Sequence, residues 1–424
     1  MNYNVESLLP SLRQDITVQK YMQDQQEYLL IYDPMKYAKQ PLLLGMQSLL
    51  ILNALLHPIP KTCIGLADSI YEQSISAESI LEFVQHLDNH GYLHTDRFMS
   101  LKKETELAFL NSDIREPYLV GSAYPETKED IVSFLNNIEH SIEPYDQRLL
   151  RGLIMPHADI KAGLLSYAHA IQALKASSTP DIIIIFATSH FSNADQFILT
   201  SKDFKTPLGI TKTDKNCIDA IRSNCTVPLI TDDSAHRAEH SIEIDLLMLQ
   251  YVYGASEFTL IPVLVSGLHS FMTSQIDPFE HEKIASFVKS IQVYAKAEGK
   301  SVLFVSSGDL SHRGVKFGDD FHAQDHVQDT MLYDAGLIDS LCAGDAKGFY
   351  KRIADCQDRY RICGCSPNIM LLQTMNSPKG EVLSYQWWDQ PETSSGVSFC
   401  TIAYFDEISS LASSEDILPN PIKN

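Results

Sequence analysis

Two histidines in this chain stand where a fold can build a metal site. The segments Ile154-Met155-Pro156-His157-Ala158-Asp159 and Ile182 to His190 each run an apolar, strand-like stretch straight into a histidine. Residues just past a buried strand lie outside the carboxyl edge of a sheet, where open α/β folds assemble their sites. A single strand-end histidine is ordinarily a hydrogen-bonded turn residue, but two on neighbouring strands can converge on one ion. Ser301-Val302-Leu303-Phe304-Val305 reads as another buried strand and leads into Ser306-Ser307-Gly308-Asp309-Leu310-Ser311-His312-Arg313-Gly314, which gathers a carboxylate, hydroxyls and an imidazole in one loop. Glu239-His240-Ser241-Ile242-Glu243 opens a helical pattern, with Ile242, Leu246 and Leu249 on one face. These loops offer His157, His190, His240 and His312, with Asp309, Glu239 and Glu243 nearby. Imidazole and carboxylate ligands suit iron, zinc or copper, and a site with three protein ligands keeps a position for water or substrate.

The elements that must position these residues alternate in the manner of an α/β sheet. Strands are expected near 149–155, 181–187, 195–200, 258–265 and 301–306, and helices near 161–176, 212–223, 240–252, 279–297 and 323–341. Strands near 381–388 and 397–405 should finish the sheet. A composition break near 104–114 separates this body, 112–406, from an amino-terminal unit, 1–105; residues 407–424, rich in Ser, Asp, Glu and Asn, read as a mobile tail. In the first unit, Glu27 to Asp33 looks like a strand ending at an Asp-Pro turn. Helical patterns follow around 42–56, 63–73 and 77–90, the last closing at Gly91, and Tyr92-Leu93-His94 would begin a returning strand. That order suggests a small winged-helix-like domain. Residues 1–110 hold 8 Lys and Arg against 13 Asp and Glu, so a DNA role is not expected of it. Its layout is loosely similar to PqqD-like domains, which recognise peptides beside radical-SAM enzymes; the plain alternative is a structural cap.

Several segments together resemble the Memo family, whose bacterial members are called AmmeMemoRadiSam system protein B. They are Arg115 with Gly121-Ser122-Ala123-Tyr124-Pro125, Pro156-His157-Ala158, Thr188-Ser189-His190, Thr206-Pro207-Leu208-Gly209, Glu239 to Glu243, Ile261 to Val265, Ser307 to His312, and Ile362-Cys363-Gly364 with Pro367. The resemblance implies a sheet flanked by helices similar to class III extradiol dioxygenases, which are non-haem iron enzymes. By the same resemblance His157 and His190 fall on metal-binding histidines and His240 on a further histidine of that pocket. Two positions depart from the family. Ser311 stands where animal members place a cysteine that completes the metal site, and a hydroxyl is a weaker ligand than a thiolate. Ala123 stands where the family often carries tryptophan. The expectation is therefore a divalent iron, copper or zinc ion on His157 and His190, with Ser311 a weakened third position, and His240, His312 and Asp309 acting as acid or base. The resemblance further implies a radical-SAM enzyme and an AMMECR-type protein as partners in a modification system. The alternative is a non-catalytic module that uses the cleft to bind a peptide or protein.

Composition narrows the rest. The 424-residue chain is 44% hydrophobic, 21% charged and carries a net charge of −21, which supports ample cores and speaks against a nucleic-acid surface. No basic start followed by an apolar core is visible at the amino terminus. The apolar stretch Pro41 to Pro60 is interrupted by Gln47, Asn53 and His57 and reads as a buried helix rather than a membrane span. The 8 cysteines form no disulfide-like framework, as expected of reduced thiols in the cytoplasm. Cys363-Gly364-Cys365 lacks the second pair that a zinc motif needs. His322 and His326 share a helix-like spacing, but without an acidic residue directly after the first they form no zinc-protease motif.

Overall fold

The computed structural model describes residues 3–56, 61–70, 75–297 and 299–406. The mobile-tail expectation for 407–424, the end of the apolar stretch 41–60 and the end of the pattern at 63–73 lie outside those residues. The chain divides into two compact units, Met1–Ser112 and Asp113–Asn424. Among the described residues no helix is long and apolar enough to cross a membrane.

The first unit pairs β1 (Thr17–Gln23), β2 (Gln26–Tyr32) and β3 (Leu42–Gly45) into an antiparallel sheet, then runs through α1 (Ser48–Leu56), α2 (Cys63–Ser69), α3 (Ala77–His90) and α4 (Asp96–Leu110). Two expectations change here. Residues 42–45 are a strand rather than helix, because pairing with β2 turns Leu42 and Leu44 into the core while Leu43 faces out. Residues 92–94 give a single bridge, Leu12 to Leu93, and the chain then enters α4, which runs through the expected boundary at 105. The Asp33-Pro34 turn is held from within. The Asp33 carboxylate accepts from the backbone N–H groups of Met35, Tyr37 and Ala38 and from Arg13, which also donates to the carbonyl of Gly91. Gly91 itself closes α3 at φ 85°, a conformation that only glycine adopts without strain.

The second unit opens with β4 (Ile114–Arg115) and α5 (Lys128–Glu139), then alternates β5 (Leu150–Met155), α6 (Leu164–Lys175), β6 (Ile182–Thr188) and β7 (Phe197–Leu199). The short β8 (Asp203–Thr206) and β9 (Gly209–Thr211) precede α7 (Lys215–Asn224), α8 (Ser241–Tyr253), β10 (Thr259–Val265), α9 (His269–Ser274), α10 (Glu282–Ala297), β11 (Val302–Ser307) and β12 (His312–Gly314). Then come α11 (Val327–Cys342), α12 (Ala346–Asp355), α13 (Cys365–Thr374), β13 (Glu381–Gln390) and β14 (Ser395–Phe405). The main sheet is ordered β12-β14-β5-β11-β6-β10-β7, with β13 paired to β14; β5, β11, β6 and β10 run parallel and the flanking strands antiparallel. Arg115 sits in a separate small sheet, β4-β8-β9.

The run of isoleucines in β6 shows why this sheet is covered on both faces. Strand side chains alternate, so Ile182, Ile184 and Phe186 enter one core with Ile218 of α7, Phe287 of α10 and Ile369 of α13. Ile183, Ile185 and Ala187 enter the other with Leu174 of α6 and Leu246 and Leu249 of α8. Because β11 lies between β5 and β6, with Ser307 level with both Met155 and Ala187, three strands end together. The loops carrying His157, His190 and Asp309 therefore leave the sheet side by side.

Candidate metal centre

His157, His190 and His240 converge at these strand ends. Their ring centroids are 5.0, 5.2 and 4.7 Å apart, and each ring offers a nitrogen within 4.8 Å of the others. They share a pocket of about 360 Å³ with Asp309, His312, Phe317 and Trp388. Ala123 lines the same pocket, so the amino-terminal signature segment contributes to its wall.

The outer nitrogens decide which face each ring presents. The Nδ1 of His190 lies 2.9 Å from Glu239 Oε1, and the Nδ1 of His240 lies 3.3 Å from the same oxygen. Glu239 also accepts from the backbone N–H of His190 at 2.7 Å. The Nδ1 of His157 is 3.2 Å from Ser307 Oγ; that hydroxyl donates its own proton to the carbonyl of Ser241 at 2.6 Å, leaving its lone pairs to accept from the ring. In their neutral forms the rings of His157 and His190 are thus held as Nδ1–H tautomers with Nε2 carrying the lone pair, the arrangement by which second-layer groups orient metal-binding imidazoles, and His240 Nδ1 stands beside the same carboxylate as His190.

The loop that carries Glu239 and His240 is fixed by a buried ion pair between Arg115 and Glu243. Arg115 Nε donates to the carbonyl of His236 at 3.0 Å and Nη2 to that of Glu239 at 2.5 Å. Glu243 accepts in addition from the backbone N–H groups of Tyr118 and Leu119 and from the hydroxyl of Tyr124. The signature around Arg115 and Gly121 to Tyr124 therefore acts as a clamp on the start of α8. It positions the site and enters it at Leu119 and Ala123.

Burial and mutual repulsion keep most of the imidazoles neutral. Burial, then the neighbouring His190, pushes His240 down to about 4, although its ring keeps 30% of its surface open to the pocket. Burial likewise takes His312 to about 4 and holds His157 well below its ordinary value. At His190 burial works in the same direction, but the hydrogen bond and charge of Glu239 outweigh it and raise the ring above its ordinary value. Burial opposes ionisation of Glu239, yet its bond to His190 brings the carboxyl to about 2. Asp309, which accepts from the backbone N–H of His157 at 3.1 Å, is raised by burial to about 7, near neutrality, where proton exchange is easiest.

The structure brings His157, His190, His240, His312 and Asp309 to one pocket and leaves Ser311 out of it. Ser311 is fully buried, and its hydroxyl donates to Asp334 at 2.6 Å, so the expected third ligand position is spent on a packing contact. His312 faces the pocket because its Nδ1 is tied to the carbonyls of Leu310 and Arg361. The group that sequence reasoning missed is Cys363. Its sulfur lies 3.3 Å from His157 Nε2 and, with His157 and Asp309, makes a second set of donor atoms within 4.8 Å of one another. Gly308 and Gly364 make this approach possible: a Cβ on Gly308 would lie 2.3 Å from Gly364 Cα, while Asp309 N–H donates to Cys363 Sγ and Gly364 N–H to the carbonyl of Asp309. The available signal was the Ile362-Cys363-Gly364 segment itself. Cys365 turns away into the buried start of α13. His326 lies in a different pocket, and His236 is buried, its Nε2 2.9 Å from the carbonyl of Ile198.

Comparison with known proteins places this geometry. A family model described as Memo-like protein matches residues 115–403, a span that contains every residue of the pocket. A MEMO1 family protein of Aquifex aeolicus (strain VF5) is 27% identical over 335 residues, 78% of this chain and 83% of its own length. MEMO1 family protein MK0963 of Methanopyrus kandleri is 27% identical over 286 residues, 64% of this chain and 91% of its own. A MEMO1 family protein of Nitrosopumilus maritimus is 25% identical over 281 residues, with 64% and 92% covered.

Proposed function

The chain belongs to the Memo-like family, and we propose that its histidine cluster is a divalent-metal site serving a dioxygenase-like redox step in an AmmeMemoRadiSam-type modification system. The observation that carries this reading is the convergence of the His157, His190 and His240 rings, with hydrogen bonds behind Nδ1 of His157 and His190 and the Glu239 carboxylate beside Nδ1 of His240. Three imidazoles, of which His157 and His240 are held neutral and His190 gives up its proton on binding an ion, fit iron, copper or zinc, and the remaining side of the pocket leaves room for a small ligand. A bound ion would supply a Lewis-acidic position for an oxygen-bearing ligand, and iron or copper would make that position redox-active as well.

The chain's own residues have separable roles. Glu239 and Ser307 orient the ligand rings. Asp309 carries or releases a proton near neutral pH, and His312 presents Nε2 to the same space from the opposite wall. Phe317, Trp388 and Val397 give one apolar side that limits water. Partners of the radical-SAM and AMMECR types belong to this reading through the family's bacterial name.

Metal analysis of protein purified without oxygen tests the proposal. One equivalent of iron, copper or zinc per chain, lost in His190→Ala, is the expected result. A protein that is isolated without metal, and takes up none when incubated with these ions, would overturn it in favour of a cleft that binds a peptide or protein.

A further inference from the structure

His312 and Arg313 are consecutive on β12, and the two-residue period of a strand sends their side chains to opposite faces. His312 faces the histidine cluster. Arg313 lines a separate pocket of about 380 Å³, which shares no wall residue with the first. Arg359 and Arg361, from the loop between α12 and α13, line it too. Three guanidinium groups around one cavity run against the bias of a chain whose net charge is −21.

The arrangement has features that internal packing leaves unused. Arg313 is 8% exposed and its guanidinium is held between the rings of Phe321 and Tyr360, at 4.8 and 4.5 Å from their centroids. Its Nη1 donates to the carbonyl of Arg359 at 2.9 Å, whereas its buried Nε has no hydrogen-bond partner among the described residues, with Asp319 3.7 Å away. Asp319 is already engaged by Arg361 Nη2 and the backbone N–H of Gly314, both at 2.9 Å. The other acid, Asp329, is largely solvent-facing, 3.7 Å from His326. Arg359 is exposed, and its side chain's hydrogen bond among the described residues is one contact of 3.3 Å to the Tyr360 hydroxyl. The loop is also conformationally unusual. Gln357, Asp358 and Arg361 stand at φ 53°, 50° and 53°, a left-handed region that non-glycine residues enter seldom.

We propose that this pocket is an anion site that takes the phosphate or carboxylate group of a small ligand between Arg313, Arg359 and Arg361. Guanidinium groups match such oxyanions with paired, charge-assisted hydrogen bonds, and Arg313 is already fixed in place by its two rings. Occupancy would be felt at the histidine pocket. The loop that carries two of the arginines accepts the backbone N–H of His312 on the carbonyl of Tyr360 at 2.7 Å, and Nδ1 of His312 on that of Arg361 at 2.9 Å. The site stands on its own donors and does not depend on a metal.

Calorimetric titration of the full chain with inorganic phosphate, and separately with succinate, tests the proposal at constant ionic strength. Binding of at least one of the two is expected, about tenfold or more weaker in Arg359→Gln, the loss of a charge-assisted contact, and unchanged in His190→Ala. The stronger of the two probes identifies the oxyanion class. Because Arg361 also braces Asp319, Arg359→Gln is the deciding variant and its thermal midpoint should match the wild type. Absence of binding by both probes, equal binding in Arg359→Gln, or loss in His190→Ala instead would overturn the assignment.

Discussion

Glu239 holds His190 at two points, accepting from the ring Nδ1 at 2.9 Å and from the backbone N–H at 2.7 Å. One carboxylate therefore sets both the tautomer and the position of the ring, and the same oxygen lies against His240. Glu239→Gln replaces one acceptor oxygen by a donor and removes the charge that favours the bond. Zinc affinity is expected to fall by about 10- to 100-fold, the usual effect of losing such an orienting partner. Calorimetry on the folded variant checks this; an unchanged affinity would mean that Glu239 does not organise the rings.

In the metal-free protein His240 and His312 should withdraw stability as pH falls from about 6.5 towards 4, while His190, raised above its ordinary value, and Asp309, raised to about 7, act the other way in the same window. His240 and His312 hold folded values of about 4 against an ordinary 6.5, so in that window the unfolded chain binds protons that the folded chain refuses. The contribution is on the order of 3 kcal/mol for either ring at most, complete only below the folded value. Glu239 does not oppose this trend, since its carboxyl, near 2 when folded, adds stability above its ordinary 4.5 and loses it in acid. Urea unfolding in chelator at pH 7, 6 and 5 should show His312→Gln gaining stability relative to the wild type as pH falls, because the variant no longer carries a ring that refuses its proton. The same pH dependence in His312→Gln and the wild type would show that this ring is not held neutral.

Ser311→Cys is expected to leave zinc affinity unchanged. The Ser311 hydroxyl donates to Asp334, which also accepts from Ser398 and Tyr385. Ser311→Ala should instead cost stability of about 1–2 kcal/mol, from a lost bond in a buried network. Tighter zinc binding in Ser311→Cys would show that this side chain reaches the ion.

Gly308→Ala should separate the two loops that meet beneath His157. The added Cβ would lie 2.3 Å from the backbone of Gly364, a contact that no rotamer change relieves. Displacing either loop moves Cys363 away from His157 and Asp309. The variant should fold with a lower midpoint and show weaker zinc binding than the wild type; equal binding would place Cys363 outside the site's support.

What could be read from the sequence follows the range over which each interaction acts. The β6 run and the α8 face announce themselves, because burial on both sheet faces or on one helix face leaves a local period. His157, His190, His240, His312 and Asp309 were legible for the same reason, each standing at the end of such an element. The antiparallel pairing that makes residues 42–45 a strand was not, since a leucine-rich run has no period of its own and β2 decides its shape. Helix α12 carried a signal that went unread: Asp345 caps it through the N–H of Gly348, and Phe349 and Ile353 share its buried face. The fate of Ser311 depended on Asp334, and the place of Cys363 on a backbone contact between two glycines far apart in the chain. Neither leaves a mark in the local pattern.

The most direct test of the central claim is a zinc titration followed calorimetrically for the wild type, His157→Ala and His190→Ala at pH 7.5. The account predicts one site per chain in the wild type and no measurable binding in either variant, with all three proteins retaining the same far-ultraviolet circular dichroism. Equal affinity in the wild type and His157→Ala would contradict it, because no ion held by this cluster can be indifferent to the ring that belongs to both donor sets.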